Sequence, residues 1–309
     1  MLVTARWHEP NSRVGLWGRT VSQRERIRWA LSVGAPGHCT AIVSVQEQPR
    51  YHGLRRVLEW FGNDPEYRVR RVPGATVHAL RQLAVSAAAS TDAMGYSDPA
   101  SARHMHPVAA ASVSHLMALQ WMVREGCESV AVFEDDTSLD LLPYWERSLA
   151  ELARSLRPPH RLALQLELKL DAFFLQNGQS GDMHLEELPL NCSTRYWLPH
   201  RHRITWGAGA YLMSRTGAEQ ALQAYGDGHR IDISRVVAFY EAPDAGMLFH
   251  PGDTYVLWPP YAMEWTSSSS VAWSSGDQNW HKNVHHASAV AAVAANVRRA
   301  AACALQQGE

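Results

Sequence analysis

The sequence predicts an α/β fold: a mixed, mostly parallel sheet of Rossmann type, flanked by helices. Three observations predict it. Short apolar runs rich in β-branched residues, such as Ser129-Val130-Ala131-Val132-Phe133, alternate with amphipathic segments of helical period. The first two runs are separated by one such segment, and β-α-β order implies a parallel pair. The 309 residues, 46% of them hydrophobic, supply enough apolar surface for one large core or two moderate ones.

The elements follow in order. Residues 1–38 are charged and mixed and read as a peripheral extension, with a short helix around Val21–Val33. Residues 39–283 form the main domain. It opens with a strand at Thr40–Val45, then an amphipathic helix from Arg50 to Gly62 with Leu54, Val57 and Leu58 on one face. Tyr67–Val72 alternates as a second strand and stops at Pro73-Gly74. Ala75–Ala89 suits a helix and Ser90–His106 a loop. The strongest helix runs from Pro107 to Gly126, with proline at its start and glycine at its end. The Ser129–Phe133 strand follows, then a helix over Pro143–Leu156 and a strand over Arg161–Leu168. Asp171–His202 has little periodicity and reads as a long lid or acceptor loop. Ile204–Met213 is a strand interrupted by Gly207 and Gly209. Ser214 then caps a helix over Arg215–Tyr225. Asp253–Trp258 is a further strand. Residues 284–309 are alanine-rich and form a terminal helix.

Bulk properties exclude several classes. A net charge of −1 argues against a nucleic-acid groove or an anionic membrane surface as partner. No apolar run suggests an integral membrane segment, and the N-terminus lacks the apolar core of a signal peptide. Cys39, Cys127, Cys192 and Cys303 are widely spaced without a Cys-x-x-Cys pair, which argues against a zinc knuckle or a disulfide framework and suits a reducing, cytoplasmic location. The 12 tryptophans serve either packing or the stacking of flat and sugar-like ligands.

The chemistry concentrates at Glu134-Asp135-Asp136. Strands of parallel sheets end at the ligand crevice, and these acids follow such a strand. Crowded carboxylates repel one another and usually share a cation. An oxygen-only set suits Mg²⁺ or Mn²⁺, ions that commonly accompany a diphosphate.

Three segments stand in order: Ser112-Val113-Ser114-His115-Leu116 on a helix, Val130–Asp136, and Trp206-Gly207-Ala208-Gly209-Ala210-Tyr211-Leu212-Met213-Ser214 followed by Gly217-Ala218. Together they resemble glycosyltransferase family 25, which includes lipopolysaccharide glycosyltransferases and collagen β-galactosyltransferases. The resemblance covers roughly Thr40 to Ala224. Ala210 before Tyr211 is a small departure. A larger one lies at the first strand, where Ser44-Val45-Gln46, then Arg50, Arg55 and Arg56, stand in place of the family's Asn-Leu pair and following arginine.

The resemblance implies a GT-A-like sheet and an inverting, metal-dependent transfer of a sugar from a nucleotide diphosphate, such as a UDP-sugar, to a glycan, lipopolysaccharide or protein hydroxyl. Glu134 and Asp136 would hold Mn²⁺ or Mg²⁺, which stabilises the departing diphosphate as a Lewis acid. Asp135 would meet ribose or sugar hydroxyls. His115 would meet the diphosphate or brace the metal loop, or simply fill a helix–sheet interface; Ser114 is either a contact or structural. Gly207 and Gly209 allow close backbone approach to substrate, and Tyr211 and Trp206 flank the acceptor or pack in the core. Asp232 is the first choice for the general base, with Glu241, Asp244 and Glu264 as alternatives. His250, His281 and His285 compete to complete the metal shell.

Two other readings stay open. One is a nucleotide-sugar or glycan-binding module without turnover, motivated by the altered first strand. The other is a zinc hydrolase built on His281-x-x-x-His285, whose spacing shares one helical face. The basic run His200-Arg201-His202-Arg203 serves an anionic acceptor or is a solvated loop.

Overall fold

The computed structural model of the chain describes residues 21–76, 78, 107–156, 161–170, 185, 188–199, 205–228, 230–233, 235–236, 248–249, 253–264 and 278–307. In chain order the elements are α1 (Gln23–Ala30), β1 (His38–Ser44), α2 (His52–Phe61), β2 (Val69–Pro73), α3 (Pro107–Arg124), β3 (Ser129–Glu134), β4 (Thr137–Ser138) and α4 (Leu149–Ala153). They continue with β5 (Ala163–Gln165), β6 (Lys169–Leu170), β7 (Tyr196–Pro199), β8 (Thr205–Trp206), β9 (Ala210–Ser214), α5 (Arg215–Ala224), β10 (Thr254–Trp258), β11 (Met263–Glu264) and α6 (Gln278–Gln307).

The fold is mixed α/β. Its central sheet has seven strands in the order β2-β1-β3-β9-β5-β10-β7. β1 pairs in parallel with β2 and β3, and β5 with β10, while β9 and β7 run against their neighbours. The parallel β1–β2 pair joined through α2 is the β-α-β unit expected from the sequence.

Side-chain alternation divides the core into two layers. Cys39, Ala41 and Val43 of β1, Val130 and Val132 of β3, and Tyr211 and Met213 of β9 face α3 and α5. Ile42, Ala131, Phe133, Ala210 and Leu212 face the other way, onto α1, α2 and α4. Ile27 and Leu31 lie in this second layer, with α1 opened by a capping box between Ser22 and Glu25. A third cluster joins Leu168, Val256 and Trp258 to Ala295 of α6.

Several expected elements change shape. The predicted helix over Pro143–Leu156 is a 3₁₀ turn at Leu142–Tyr144 followed by the short α4, which starts afresh at the Ser148–Glu151 capping box. The strand expected over Ile204–Met213 divides at the glycines. β8 pairs with β6 in a separate two-stranded sheet, while β9 enters the central sheet. Part of the expected 171–202 loop is a strand: β7 pairs with β10 at the sheet edge. The helix expected over 75–89 and the basic run 200–203 lie outside the described residues apart from residues 75–76 and 78.

The cysteines correct an expectation. Cys39 pairs with Cys127 (Cα–Cα 6.0 Å) and Cys192 with Cys303 (Cα–Cα 4.3 Å). Spacing could not show this, because sheet register brings the first pair together and α6 docking the second. The argument for a reducing compartment rested on unpaired cysteines and falls with them. α6 also contains the one helix among the described residues, His286–Gln306, that is long and apolar enough by length and composition to cross a membrane. Two of its polar side chains are spent on the protein body. Arg299 is buried and bonds to the carbonyls of Cys192 and Thr194, and Asn296 to that of Pro260.

Candidate functional site

Glu134 is the last residue of β3, and Val43 is its partner on parallel β1. The strand ends therefore place Ser44 beside Asp135, where the Ser44 hydroxyl donates to Asp135 Oδ2 at 2.9 Å. Arg50, just before α2, spans two acids. Its Nε donates to Asp135 Oδ1 at 2.8 Å and its Nη2 to Asp136 Oδ2 at 2.7 Å. The Tyr51 amide completes the clamp on the Asp135 carbonyl at 2.7 Å. Both aspartates are buried. A planar guanidinium suits this double grip because its donors are held in a rigid fork.

Glu134 faces the α3 layer, as its alternation with Val132 requires. Its Oε1 lies 3.0 Å from His115 Nε2, and His115 Nδ1 lies 3.2 Å from the Tyr211 hydroxyl. The two ring nitrogens thus bridge the Glu134 carboxylate and the Tyr211 hydroxyl. Burial works against ionised Glu134, yet the His115 hydrogen bond and the Lys169 charge hold its carboxyl below the usual range. The Glu134 side chain is 29% exposed, so this is the acid of the trio that reaches the surface.

Two further acids and a lysine join them. β11 pairs antiparallel with β4, and its register sets Glu264 opposite Thr137, next to Asp136. Glu167 follows β5, and Lys169 opens β6 opposite Trp206. The Lys169 Nζ stands 2.8 Å from Glu264 Oε2 and 3.6 Å from Glu167 Oε1. The second distance is an ion pair but too long for a hydrogen bond. Glu167 is 2% exposed, and neither of its carboxylate oxygens accepts a hydrogen bond among the described residues. Five carboxylates thus share Arg50 and Lys169.

The electrostatics follow from that crowding. Burial, then repulsion from Glu264 and Glu134, pushes the Asp136 carboxyl well above its ordinary value despite Arg50 and Lys169. Burial raises Glu167 to about 7; Lys169 opposes this, and Glu264 and Glu134 add to it. Burial alone would lower Lys169, but Glu264, Glu167, Glu134 and Asp136 together hold its ammonium well above the ordinary lysine range. Lys169 therefore stays charged, and the surplus negative charge of the cluster weighs most on Asp136 and Glu167.

The glycines shape this pocket. Gly207 has φ +122°, and its carbonyl accepts from Gln165 Nε2 at 2.8 Å. The Gly209 carbonyl accepts from the Glu134 amide at 2.7 Å and the Thr137 hydroxyl at 2.6 Å. A Cβ at Gly209 would fall 1.9 Å from Glu167 Oε2. The close approach at Gly209 is thus to Glu167 of the same chain.

Glu134, Asp135, Asp136, His115, Tyr211 and Gly209 come together as one connected group. Gly207 borders it through Gln165. Ser114 is engaged elsewhere: its hydroxyl donates to the Ala110 carbonyl at 2.7 Å and accepts from the Ala75 amide at 2.7 Å, tying α3 to the segment after β2. Asp232 lies beyond α5, its side chain 43% exposed and paired with Arg235 at 3.5 Å. Glu241, Asp244 and His250, and the side chains of Trp206, His281 and His285, lie outside the described residues. Sequence reasoning missed Glu167 and Lys169. The signal was available, since Glu167 lies at the end of an alternating run much as Glu134 follows an apolar one, but a single acid there is a common sight.

A divalent ion at Glu134 and Asp136 meets side chains already committed. Asp136 is gripped by Arg50, Glu134 by His115, and an ammonium stands among the remaining acids. Among the described residues no group of three or more His, Cys, Asp or Glu side chains is arranged to hold a metal. This donor set does not fit the expected ion.

No protein-family model matches the chain, and no curated protein sequence does. Among solved structures it is similar to the apo crystal structure of mouse xyloside xylosyltransferase 1, at 12% identity and a TM-score of 0.24, over 74% of this chain and 79% of that one.

Proposed function

We propose that the chain is a glycosyltransferase that moves a sugar from a nucleotide diphosphate, taken here as a UDP-sugar, to a hydroxyl of a glycan, lipopolysaccharide or protein. The observation that supports this best is the acidic turn at the carboxyl end of a central parallel strand, buried and clamped by an arginine from the neighbouring crossover. Ligands of open α/β sheets bind at such strand ends.

The chemistry asks for what the turn holds. As the bond from C1 to the diphosphate oxygen breaks, negative charge grows on the leaving group. Positive groups already fixed in place stabilise that charge without reorganising. Arg50 and Lys169 are such groups, and the acids hold both in position. An inverting displacement also needs a base for the acceptor hydroxyl. Asp232 and Glu264 are the described acids we propose for it, and Glu264 lies within the cluster.

The test is donor turnover. Purified protein is incubated with a panel of nucleotide sugars, with and without hydroxyl acceptors, and released nucleoside diphosphate is measured. The wild type should release it, and Asp136→Ala should lose roughly hundredfold or more of that rate. An unchanged rate in Asp136→Ala removes the turn from the reaction. The Ser44-Val45-Gln46 departure keeps the binding-module reading alive; that protein would bind a nucleotide sugar and release nothing.

A further inference from the structure

The acid cluster contains its own cation. Lys169 Nζ pairs with Glu264 at 2.8 Å and Glu167 at 3.6 Å, and it feels the charges of Glu134 and Asp136. Three separate chain segments deliver these groups: β3 with its turn, the β5–β6 connection, and β11. Glu167 has both oxygens buried without a hydrogen-bond donor among the described residues, so an ammonium is its compensation. Clustered carboxylate oxygens of this kind are the usual ligands of divalent ions in proteins. Here a side chain reaches the same acids from within.

We propose that Lys169 is the resident cation of this site, its ammonium taking the place a divalent ion would hold among Glu134, Asp136, Glu167 and Glu264. The inference rests on the glycosyltransferase reading for its meaning, because the cation would serve the diphosphate of the donor. Its consequence is that donor binding needs no added metal. Arg50 supplies the second positive charge, fixed on Asp135 and Asp136. About a fifth of the Lys169 side chain remains exposed while its ammonium is paired with Glu264 and Glu167. The nearby cavity is lined by Glu167, Lys169, Glu264 and, from α6, Ser288.

A lysine in a metal's place leaves a signature. Removing it should uncover the acids and create a metal site. Chelator-treated wild type, Lys169→Met and Lys169→Arg are titrated with Mn²⁺ and followed by electron paramagnetic resonance, with circular dichroism to confirm folding. The wild type and Lys169→Arg should leave the free Mn²⁺ signal unchanged. Lys169→Met should bind the ion more tightly by roughly tenfold or more, about 1.4 kcal/mol, and its melting temperature should rise with Mn²⁺. A wild type or an arginine variant that binds Mn²⁺ overturns the proposal. So does a folded Lys169→Met that binds none, since the acids would then form no cation site for the lysine to fill. If Lys169→Met does not fold, the wild-type and arginine titrations still decide. A parallel thermal-shift series with uridine diphosphate, in chelator and in Mn²⁺, separates the two readings. Equal shifts in both conditions support the resident cation, and a shift only with Mn²⁺ refutes it. No shift in either condition counts against the transferase reading and leaves the Mn²⁺ titrations to judge Lys169.

Discussion

At the scale of single residues, the site is governed by carboxylates that outnumber their bases. Glu167 is the sharpest case. Burial, resisted by Lys169 and reinforced by Glu264 and Glu134, raises its carboxyl from 4.5 to about 7. A raised carboxyl binds more protons folded than unfolded between those values, so stability falls as pH rises through that window and levels off above it. Glu167→Gln should flatten that fall. Urea denaturation from below pH 4.5 to above pH 7 should show the variant gaining on the wild type, by on the order of 3 kcal/mol at the upper end. Parallel wild-type and variant curves would show that Glu167 does not titrate in this window. Arg50 plays the opposite part: its fork ties Asp135 and Asp136 to one guanidinium, and Ser44 fills the remaining approach.

At the scale of elements, short strands and turns carry the precision. β9 starts where Gly209 meets two neighbours at once, giving its carbonyl to β3 and its open side to Glu167. A methyl group there must displace the Glu167 carboxylate, because Oε2 would be 1.9 Å away. Gly209→Ala should cost about 1–3 kcal/mol in denaturant unfolding, and the cost should shrink if Glu167 is first shortened to alanine. Equal costs in both backgrounds would show that the methyl meets something else. α3 shows the same economy. One face fills the core with Leu116, Leu119 and Met122, and from that same face His115 bridges Glu134 and Tyr211. The buried histidine is thus both a packing residue and a link to the turn.

At the scale of the molecule, α6 and the disulfides close the structure around the sheet. Cys303 of α6 is bonded to Cys192, a separation of 111 residues, and Arg299 reaches the carbonyls on the same segment. Closing so long a loop restricts the unfolded chain. Cys303→Ser should lower stability by about 2–4 kcal/mol in reversible melting under non-reducing conditions. Hydrogen exchange should rise first in α6 and near Cys192, with the β1–β3 core unaffected at native conditions. A variant as stable as the wild type would mean that Asn296 and Arg299, whose guanidinium also pairs with Glu146 at 3.4 Å, hold the helix alone. The same docking makes Ser288 and Ala289 part of the wall beside Glu167 and Lys169, so loosening α6 should also disturb the site.

Much of this was legible in the residues themselves. β-branched runs and amphipathic spacing predict β1, α2, β2, α3, β3, α5 and β10 at or within a few residues of their positions. The acids after Phe133 and the histidine on α3 announce the site because a strand end and a helix face are local features. Local pattern could not show that the glycines split one run between two sheets, that β7 hides in a loop, or that the cysteines pair. It also could not show that Arg50, Glu167, Lys169 and Glu264 converge on the turn. They come from three segments, before α2, between β5 and β6, and β11, and only sheet order and the β4–β11 register set them side by side. The sequence by itself determined that a charged strand end would exist, since hydrophobic periodicity acts over neighbouring residues. The tertiary structure decided what neutralises it, because charge compensation in a buried site depends on distances between residues far apart in the chain.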